Sequence, residues 1–299
     1  MTRFDILEHH LIPVESGQAV AAGWMGYAGN KPRGVTWHWT ATRDLASCDR
    51  ILGGATSLRK GEASAHYGIG RSFAEGVSRY VSLENRSWHA GKNQTLRWDG
   101  QPARTGGQWW SGSRTTIGVE TVNLGYARTG VIAGPDWIEC VSPSGKQEMQ
   151  VQPWTAEQIV MMIAVGKEIV RRWPHIGVRD HHGHHDICPG YKVDVCGFPF
   201  AEVLRGIYDA PSTPDVWTPL WTTTARQRCL RTLGYQLGDS GPGRDGVDGD
   251  WGRLSDAALR RFQRENRLVD NGMWSTFVCW RVHEVLSARG SSIEAAVAA

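Results

Sequence analysis

The segment HHGHHDICPGYKVD, residues 181–194, places four of the chain's eleven histidines beside two aspartates, a cysteine and a lysine. Imidazole and carboxylate groups are ligands of catalytic zinc, which takes three groups from the protein and keeps one position for water. A polar loop could have the same composition, whereas an affinity tag would be terminal and unbroken. A third ligand elsewhere and a catalytic partner are needed to choose between the two interpretations.

Two apolar segments contain further candidates for such a centre. His38 lies in VTWHWT, where a strand histidine is more often a hydrogen-bonded core residue, so the metal interpretation stays open. Glu120 lies in IGVETV, where a lone carboxylate is costly unless it is exposed or functional. His184 and Asp194 are ten residues apart in a loop with Gly and Pro, which can fold both side chains toward one point. Lys192 would then lie near that point.

The elements that must position these residues alternate between strands and helices, which favours an α/β domain. We predict strands over Val35–Trp39 and Ile117–Val122, and an inserted loop or hairpin over residues 126–152. A helix is predicted to begin after Thr155, which can form a capping box with a Gln three residues later. Pro174 is expected to end this helix.

A Pro-rich segment, DAPSTPDVWTP, separates the α/β region from a region of amphipathic helices. Changes in composition and in the strand and helix patterns along the chain predict four regions. These are a domain over residues 1–210, a linker over 211–219, a small all-α domain over 220–290 and a flexible tail over 291–299. Few contacts are expected to cross the linker, so that a piece ending near Asp209 should fold alone.

Composition limits the possible functions. The chain of 299 residues has a net charge of +3 without a Lys/Arg stripe, so nucleic acid is not an expected partner. It has no apolar run of 18 residues and no apolar signal core near its start, so we expect no membrane span and no signal peptide. Six scattered cysteines without a CxxC pair are expected to be free thiols, and fifteen tryptophans suit stacking on sugar rings. We expect a monomer.

Five short sequence motifs follow one another along the chain: VTWHWTAT, SAHYGIG, NRSWHAGK, TTIGVETVN and GHHDICPGYKVD. Over roughly residues 30–205 this order and spacing resemble the zinc-dependent N-acetylmuramoyl-L-alanine amidases of type 2, which share a fold with amidase-type phage lysozymes and peptidoglycan recognition proteins. The resemblance implies a mixed central sheet flanked by helices, with Zn²⁺ in a surface groove. It implies that the metal ligands are His38, His184 and Asp194, with Glu120 as the catalytic carboxylate and Lys192 beside the oxyanion.

Other residues of these blocks are assigned from the same resemblance. The expected substrate-binding residues are His66, Trp88 and His89. Solvent exposure or a place behind the ligands is expected for the remaining histidines of the motif, which are His181, His182 and His185. Tyr191 stands where many relatives have Arg, which concerns substrate preference, and Cys188 is expected to serve packing.

The C-terminal run VDGDWGRLSDAALRRFQRENRLVDNG resembles a helical peptidoglycan-binding domain over about residues 220–285, with matches at Asp248, Gly249, Gly252, Phe262 and Gln263. Together the two resemblances imply a peptidoglycan hydrolase that cleaves the amide between the lactyl group and L-alanine. A phage endolysin is expected, made in the host cytoplasm and acting in the periplasm or cell wall after release. The alternatives are a non-catalytic peptidoglycan-binding protein, a bacterial autolysin and a muropeptide-recycling amidase.

Overall fold

A mixed six-stranded sheet forms the centre of the N-terminal part in a computed structural model that describes residues 6–8, 27, 31–52, 63–91, 95–102 and 112–299. The described strands are β1 (Ile6–Glu8), β2 (Gly34–Trp39), β3 (Tyr67–Ile69), β4 (Val77–Arg79), β5 (Thr116–Thr121), β6 (Ile138–Val141), β7 (Glu148–Val151) and β8 (His181–Gly183). The sheet order is β1-β4-β3-β5-β2-β8, and each neighbouring pair is parallel except β3 with β4. The predicted strands and mixed sheet are confirmed.

Helices cover both faces of the sheet. The N-terminal part contains α1 (Leu45–Leu52), α2 (Gly112–Thr115), α3 (Ala156–Arg172), α4 (His184–Ile187) and α5 (Phe200–Ile207). Because side chains alternate along a strand, Val35 and Trp37 of β2 pack in the core that α3 and α5 cover, while His38 faces the opposite side. On that side α1 contributes Leu45 to a second, smaller core.

The long helix α3 begins as the sequence predicts. The Thr155 hydroxyl accepts a hydrogen bond from the Gln158 backbone N–H, and the Gln158 side chain accepts one from the Thr155 backbone N–H. This capping box satisfies two donors that a helix start otherwise leaves unpaired. The predicted insertion over residues 126–152 contains the antiparallel hairpin of β6 and β7.

The C-terminal part is helical, as predicted. We call its helices α6 (Thr223–Thr232), α7 (Arg253–Glu265), α8 (Thr276–Ala288) and α9 (Ile293–Ala298) the helical module. The structure corrects the expectation of a flexible tail over 291–299, because α9 is capped by the Ser292 hydroxyl. Its apolar residues Ile293 and Ala296 are buried, so this segment belongs to the core of the module.

The expected linker is packed into the core, which corrects the expectation that few contacts cross it. Trp217 is buried and its ring stacks on Phe200 of α5 at 5.0 Å between centroids, with Trp280 of α8 at 5.4 Å. The buried Arg226 guanidinium of α6 donates to the backbone oxygens of Ser142 at 2.7 Å and Val141 at 3.2 Å, beyond the linker. The domain boundaries themselves stay a prediction.

This packing predicts a large stability loss for Trp217→Ala. Removing a buried Trp from a core costs about 3–5 kcal/mol of free energy of unfolding, because contacts and burial are lost and a cavity is left. Urea unfolding of the full chain measures the loss, and Trp88→Ala is the matched control, since Trp88 is 37% exposed. If Trp217→Ala costs no more than the control, residues 211–219 are a free linker after all.

Candidate metal and active site

The parallel strands bring the predicted ligands to one edge of the sheet. His38 of β2 is in register with Glu120 of β5, so both side chains lie on the same face. On the other side of β2, Trp37 is in register with Gly183, and His184 follows Gly183 as the first residue of α4. Ligand sites in such sheets form outside the carboxyl ends of parallel strands. Three residues that are far apart in sequence therefore meet at this edge.

Three ligand atoms converge beside this edge. The Nδ1 atoms of His38 and His184 are 3.0 Å apart. The Asp194 Oδ2 atom lies 3.0 Å from the His184 Nδ1 atom and 3.4 Å from the His38 Nδ1 atom. Tetrahedral zinc with bonds of about 2.0–2.1 Å places neighbouring ligand atoms about 3.3 Å apart. The cluster could therefore hold a metal ion, and its spacing and donor set fit zinc.

The surroundings keep His38 and Asp194 in the protonation states that a metal requires. Burial, assisted by the neighbouring His184, lowers the pKa of His38 to about 4. Burial alone would raise the pKa of Asp194, but His184 and His38 outweigh it and hold the pKa well below its usual range. Metal binding needs a neutral imidazole and an ionised carboxylate. At neutral pH His38 and Asp194 are in these forms.

Hydrogen bonds to the far side of each ring fix the imidazole tautomers. The His184 Nε2 atom is 3.2 Å from the Ala90 carbonyl oxygen, an acceptor that favours the Nε2–H tautomer, and this tautomer leaves the Nδ1 atom as the one that can bind a metal. His89 Nε2–H donates to the Thr116 carbonyl oxygen at 3.2 Å, which leaves its Nδ1 atom to accept from His38 Nε2–H at 2.9 Å. His89 therefore orients His38, a contact that the sequence did not indicate.

The predicted catalytic groups line a groove of about 530 Å³ at this site. Glu120 is only 9% exposed, and its pKa is raised well above the usual range by burial and then by Asp194, with Lys192 opposing. The groove also contains Lys192, whose Nζ atom lies 5.3 Å from the Tyr191 ring centroid. Trp88 and His89 lie in the same groove. A buried carboxyl group and an ammonium group thus line the same groove as the three candidate ligands.

His66 does not line this groove, which corrects its assignment as a substrate-binding residue. Its side chain is fully buried. Its Nδ1 atom accepts from the Gly118 backbone N–H at 3.0 Å, and its Nε2 atom lies 2.8 Å from the Asn85 carbonyl oxygen. With both ring nitrogens occupied by the backbone, the ring holds β5 to the chain after β4.

The other histidines of the motif are buried rather than in solvent. His181 accepts from the Trp37 indole N–H at 3.2 Å, and its Nε2 atom is 2.8 Å from the Tyr208 hydroxyl. His182 is buried against the ring of Phe277 at 4.7 Å between centroids. His185 lies behind the proposed ligands, which is one of the two places expected from the sequence. Its Nδ1 atom is 3.0 Å from the Asp194 carbonyl oxygen.

All six cysteines are buried free thiols in the part of the chain that the structure describes. Burial raises the pKa of Cys188 and of Cys229 to about 12. Because the thiolate is the reactive form, we expect almost no reaction with Ellman's reagent in the folded protein and six thiols in denaturant without reductant. A stable count of four in denaturant would reveal a disulfide.

The sequence matches two known families. Residues 28–194, more than half of the chain, match the family described as N-acetylmuramoyl-L-alanine amidase. The chain belongs to this amidase family. Residues 224–277 match a peptidoglycan binding domain, within the helical module. The resemblances seen in the sequence are therefore confirmed, and the amidase is a peptidoglycan hydrolase with a peptidoglycan-binding domain.

Solved structures give weaker likenesses. AmpDh3 from Pseudomonas aeruginosa is 20% identical, with a TM-score of 0.44 over 86% of this chain and 92% of that chain. The amidase AmiD from E. coli is 20% identical, with a TM-score of 0.45 over 88% and 92%. The PlyG catalytic domain is 14% identical, with a TM-score of 0.43 over 71% and 99%. No protein of curated function matches significantly. The family assignment rests on the sequence match.

The helices also bear on membrane insertion. Among the residues that the structure describes, none of the amidase's helices is both long and apolar enough to cross a bilayer.

Proposed function

We propose that this amidase uses one Zn²⁺ ion, held by His38, His184 and Asp194, to hydrolyse the amide between the lactyl group of N-acetylmuramic acid and L-alanine. The observation that supports it most is the convergence of these three side chains beside Glu120 in one groove. A zinc ion bound there supplies a Lewis acid and brings the pKa of a water toward neutrality. The protein's part is to place the substrate amide and to move protons.

Glu120 is proposed to carry the proton. As a carboxylate it takes a proton from the attacking water, and as an acid it gives that proton to the alanine nitrogen when the amide breaks. A shuttle works best when its pKa lies near the working pH, and burial raises the pKa of Glu120 in that direction. Ligation of Asp194 by a cation would reduce the repulsion between the two carboxylates.

Lys192 and the groove residues are proposed to stabilise the charged intermediate and to hold the substrate. A lysine ammonium near the tetrahedral carbon offers positive charge where the oxyanion develops. Trp88 and Tyr191 are exposed aromatic residues at the groove and suit stacking on the wall's sugars. His89 is assigned to orienting His38, although it also lines the groove.

The setting that we propose is host lysis by a phage, with a monomeric endolysin made in the host cytoplasm and acting at the wall after release. The pairing of an amidase with a peptidoglycan-binding domain supports action on intact wall. It argues against recycling of small muropeptides. A bacterial autolysin would carry the same pairing.

Two measurements test the proposed function. Purified protein should clear isolated sacculi, lose that activity after chelation and regain it with one equivalent of zinc; binding without clearing would indicate the non-catalytic alternative. Expression in a bacterial cytoplasm should lyse cells only after the membrane is permeabilised. Lysis without permeabilisation would favour an exported autolysin.

A further inference from the structure

Asp186 connects the metal-ligand loop to the helical module. It lies two residues after His184 and is fully buried. One carboxylate oxygen accepts the Gly183 backbone N–H at 2.8 Å, which fixes the turn into α4. The other oxygen accepts the backbone N–H of Thr276, the first residue of α8, at 2.8 Å. A residue of the module thus completes the hydrogen bonding of a buried carboxylate in the catalytic part.

The His185 side chain connects the Asp186 carboxylate to Asp194, one of the proposed metal ligands. The His185 Nε2 atom lies 3.2 Å from the Asp186 Oδ1 atom, and the His185 Nδ1 atom lies 3.0 Å from the Asp194 carbonyl oxygen. The His185 backbone N–H also donates to that carbonyl oxygen at 2.7 Å. Thr276, Asp186 and His185 therefore form an unbroken hydrogen-bonded path from α8 to the backbone of a metal ligand.

The start of α8 is held firmly enough to serve as a support. The Ser275 hydroxyl caps the helix by accepting from the Val278 backbone N–H at 3.3 Å. Phe277, which follows Thr276, packs on His182 of β8. Beyond the helix start, the backbone N–H of Trp274 donates to the Pro143 carbonyl oxygen at 2.7 Å.

We infer that the helical module, besides binding wall, holds the metal-ligand loop in its binding geometry through the Thr276–Asp186 hydrogen bond, with Asp186 and His185 as positioning residues. The inference rests on the proposed zinc site. Loss of a group that hydrogen-bonds to a metal ligand typically lowers metal affinity by about 10–100-fold. Leaving a buried carboxylate without one of its hydrogen-bond donors also costs free energy of folding. The metal-ligand loop should therefore move until Asp186 finds another donor. The amidase part is therefore incomplete without the module.

Thr276→Pro in the full chain is the direct test. Proline lacks the N–H and is favoured at the first position of a helix. The preceding Ser275 has φ −104° and ψ 168°, an extended conformation that a following proline accepts. Competition with a chromogenic chelator should show zinc binding weakened by about tenfold or more, and turnover of a soluble muropeptide should fall at limiting zinc.

Two control variants isolate the N–H group. Thr276→Val keeps it but removes the hydroxyl that the Trp217 indole N–H contacts at 3.3 Å. Ala156→Pro places proline at the first position of α3, at an exposed residue that takes no part in this path. Both should bind zinc as the wild type does. Equal zinc affinity in folded Thr276→Pro would overturn the inference, whereas failure of the wild type to bind zinc would overturn the proposed function.

A second measurement needs no variant. Coupling between two sites is reciprocal, so zinc must stabilise the docking of α8 if docking stabilises the zinc site. Hydrogen exchange of the wild type should therefore slow at Thr276 and its neighbours when zinc is added, with α7 as the internal reference. An unchanged rate of hydrogen exchange at the start of α8 after zinc is added would contradict the inference.

Discussion

His184→Ala is expected to abolish both zinc binding and amidase activity. The substitution removes one of the three proposed ligands, and catalytic zinc usually takes three ligands from the protein. The adjacent His185 cannot take over, because its ring atoms face Asp186 and the Asp194 carbonyl oxygen. Elemental analysis after dialysis gives the zinc per chain, and turnover of a soluble muropeptide gives the activity.

The matched control for this experiment is His175→Ala. His175 is exposed and its Nε2 atom lies 2.7 Å from the Pro32 carbonyl oxygen, outside the groove. The control should keep one zinc and wild-type turnover. If His184→Ala also keeps stoichiometric zinc, the ligand set of His38, His184 and Asp194 is wrong.

Glu120→Gln is expected to keep zinc and to lower turnover by about a hundredfold or more, the usual contribution of a general acid–base group. Glutamine fits the same space but cannot accept and return a proton. It also avoids the cost of charging a buried carboxyl group, so the melting temperature should not fall. Zinc content, circular dichroism and turnover are measured on the same preparation.

The control for the second experiment is Glu139→Gln, at an exposed position of β6. It should be indistinguishable from the wild type. A Glu120→Gln protein without zinc would mean that the carboxylate supports the ligands, and one with wild-type turnover would remove Glu120 from the mechanism.

The convergence of His38, His184 and Asp194 could be predicted from the sequence because all three lie in short motifs, and His38 lies on a strand. His38 and Glu120 lie near the ends of two apolar runs that become neighbouring parallel strands. The sequence could not show which of the block histidines would face the groove. His66 and His89 both come from family blocks, but only His89 contacts His38, because the nitrogens of the buried His66 ring contact backbone groups and two hydroxyl groups.

The C-terminal end was harder to predict for a different reason. Three prolines within residues 209–219 are typical of a linker, yet Trp217 is buried between α5 and α8. Composition describes local stiffness and not where an aromatic ring packs. The tail carried a usable signal, since Ser292 can cap a helix and Ile293 and Ala296 fall on one face of it.

The proposed role of Asp186 could not be predicted from the sequence either. It stands in the His184 motif, but its partner Thr276 is about 90 residues further on. No local pattern reports such a pairing. It follows from the packing of the helical module against the amidase part, which is also why a fragment ending near Asp209 is expected to bind zinc more weakly than the full chain.

Mass spectrometry of wall fragments after digestion tests the central claim most directly. Hydrolysis of the lactyl–alanine amide should release stem peptides with a free L-alanine amino terminus and leave glycan strands without new reducing ends. New reducing sugars with intact lactyl–peptide bonds would contradict the account, because they would show that the enzyme cuts the glycan.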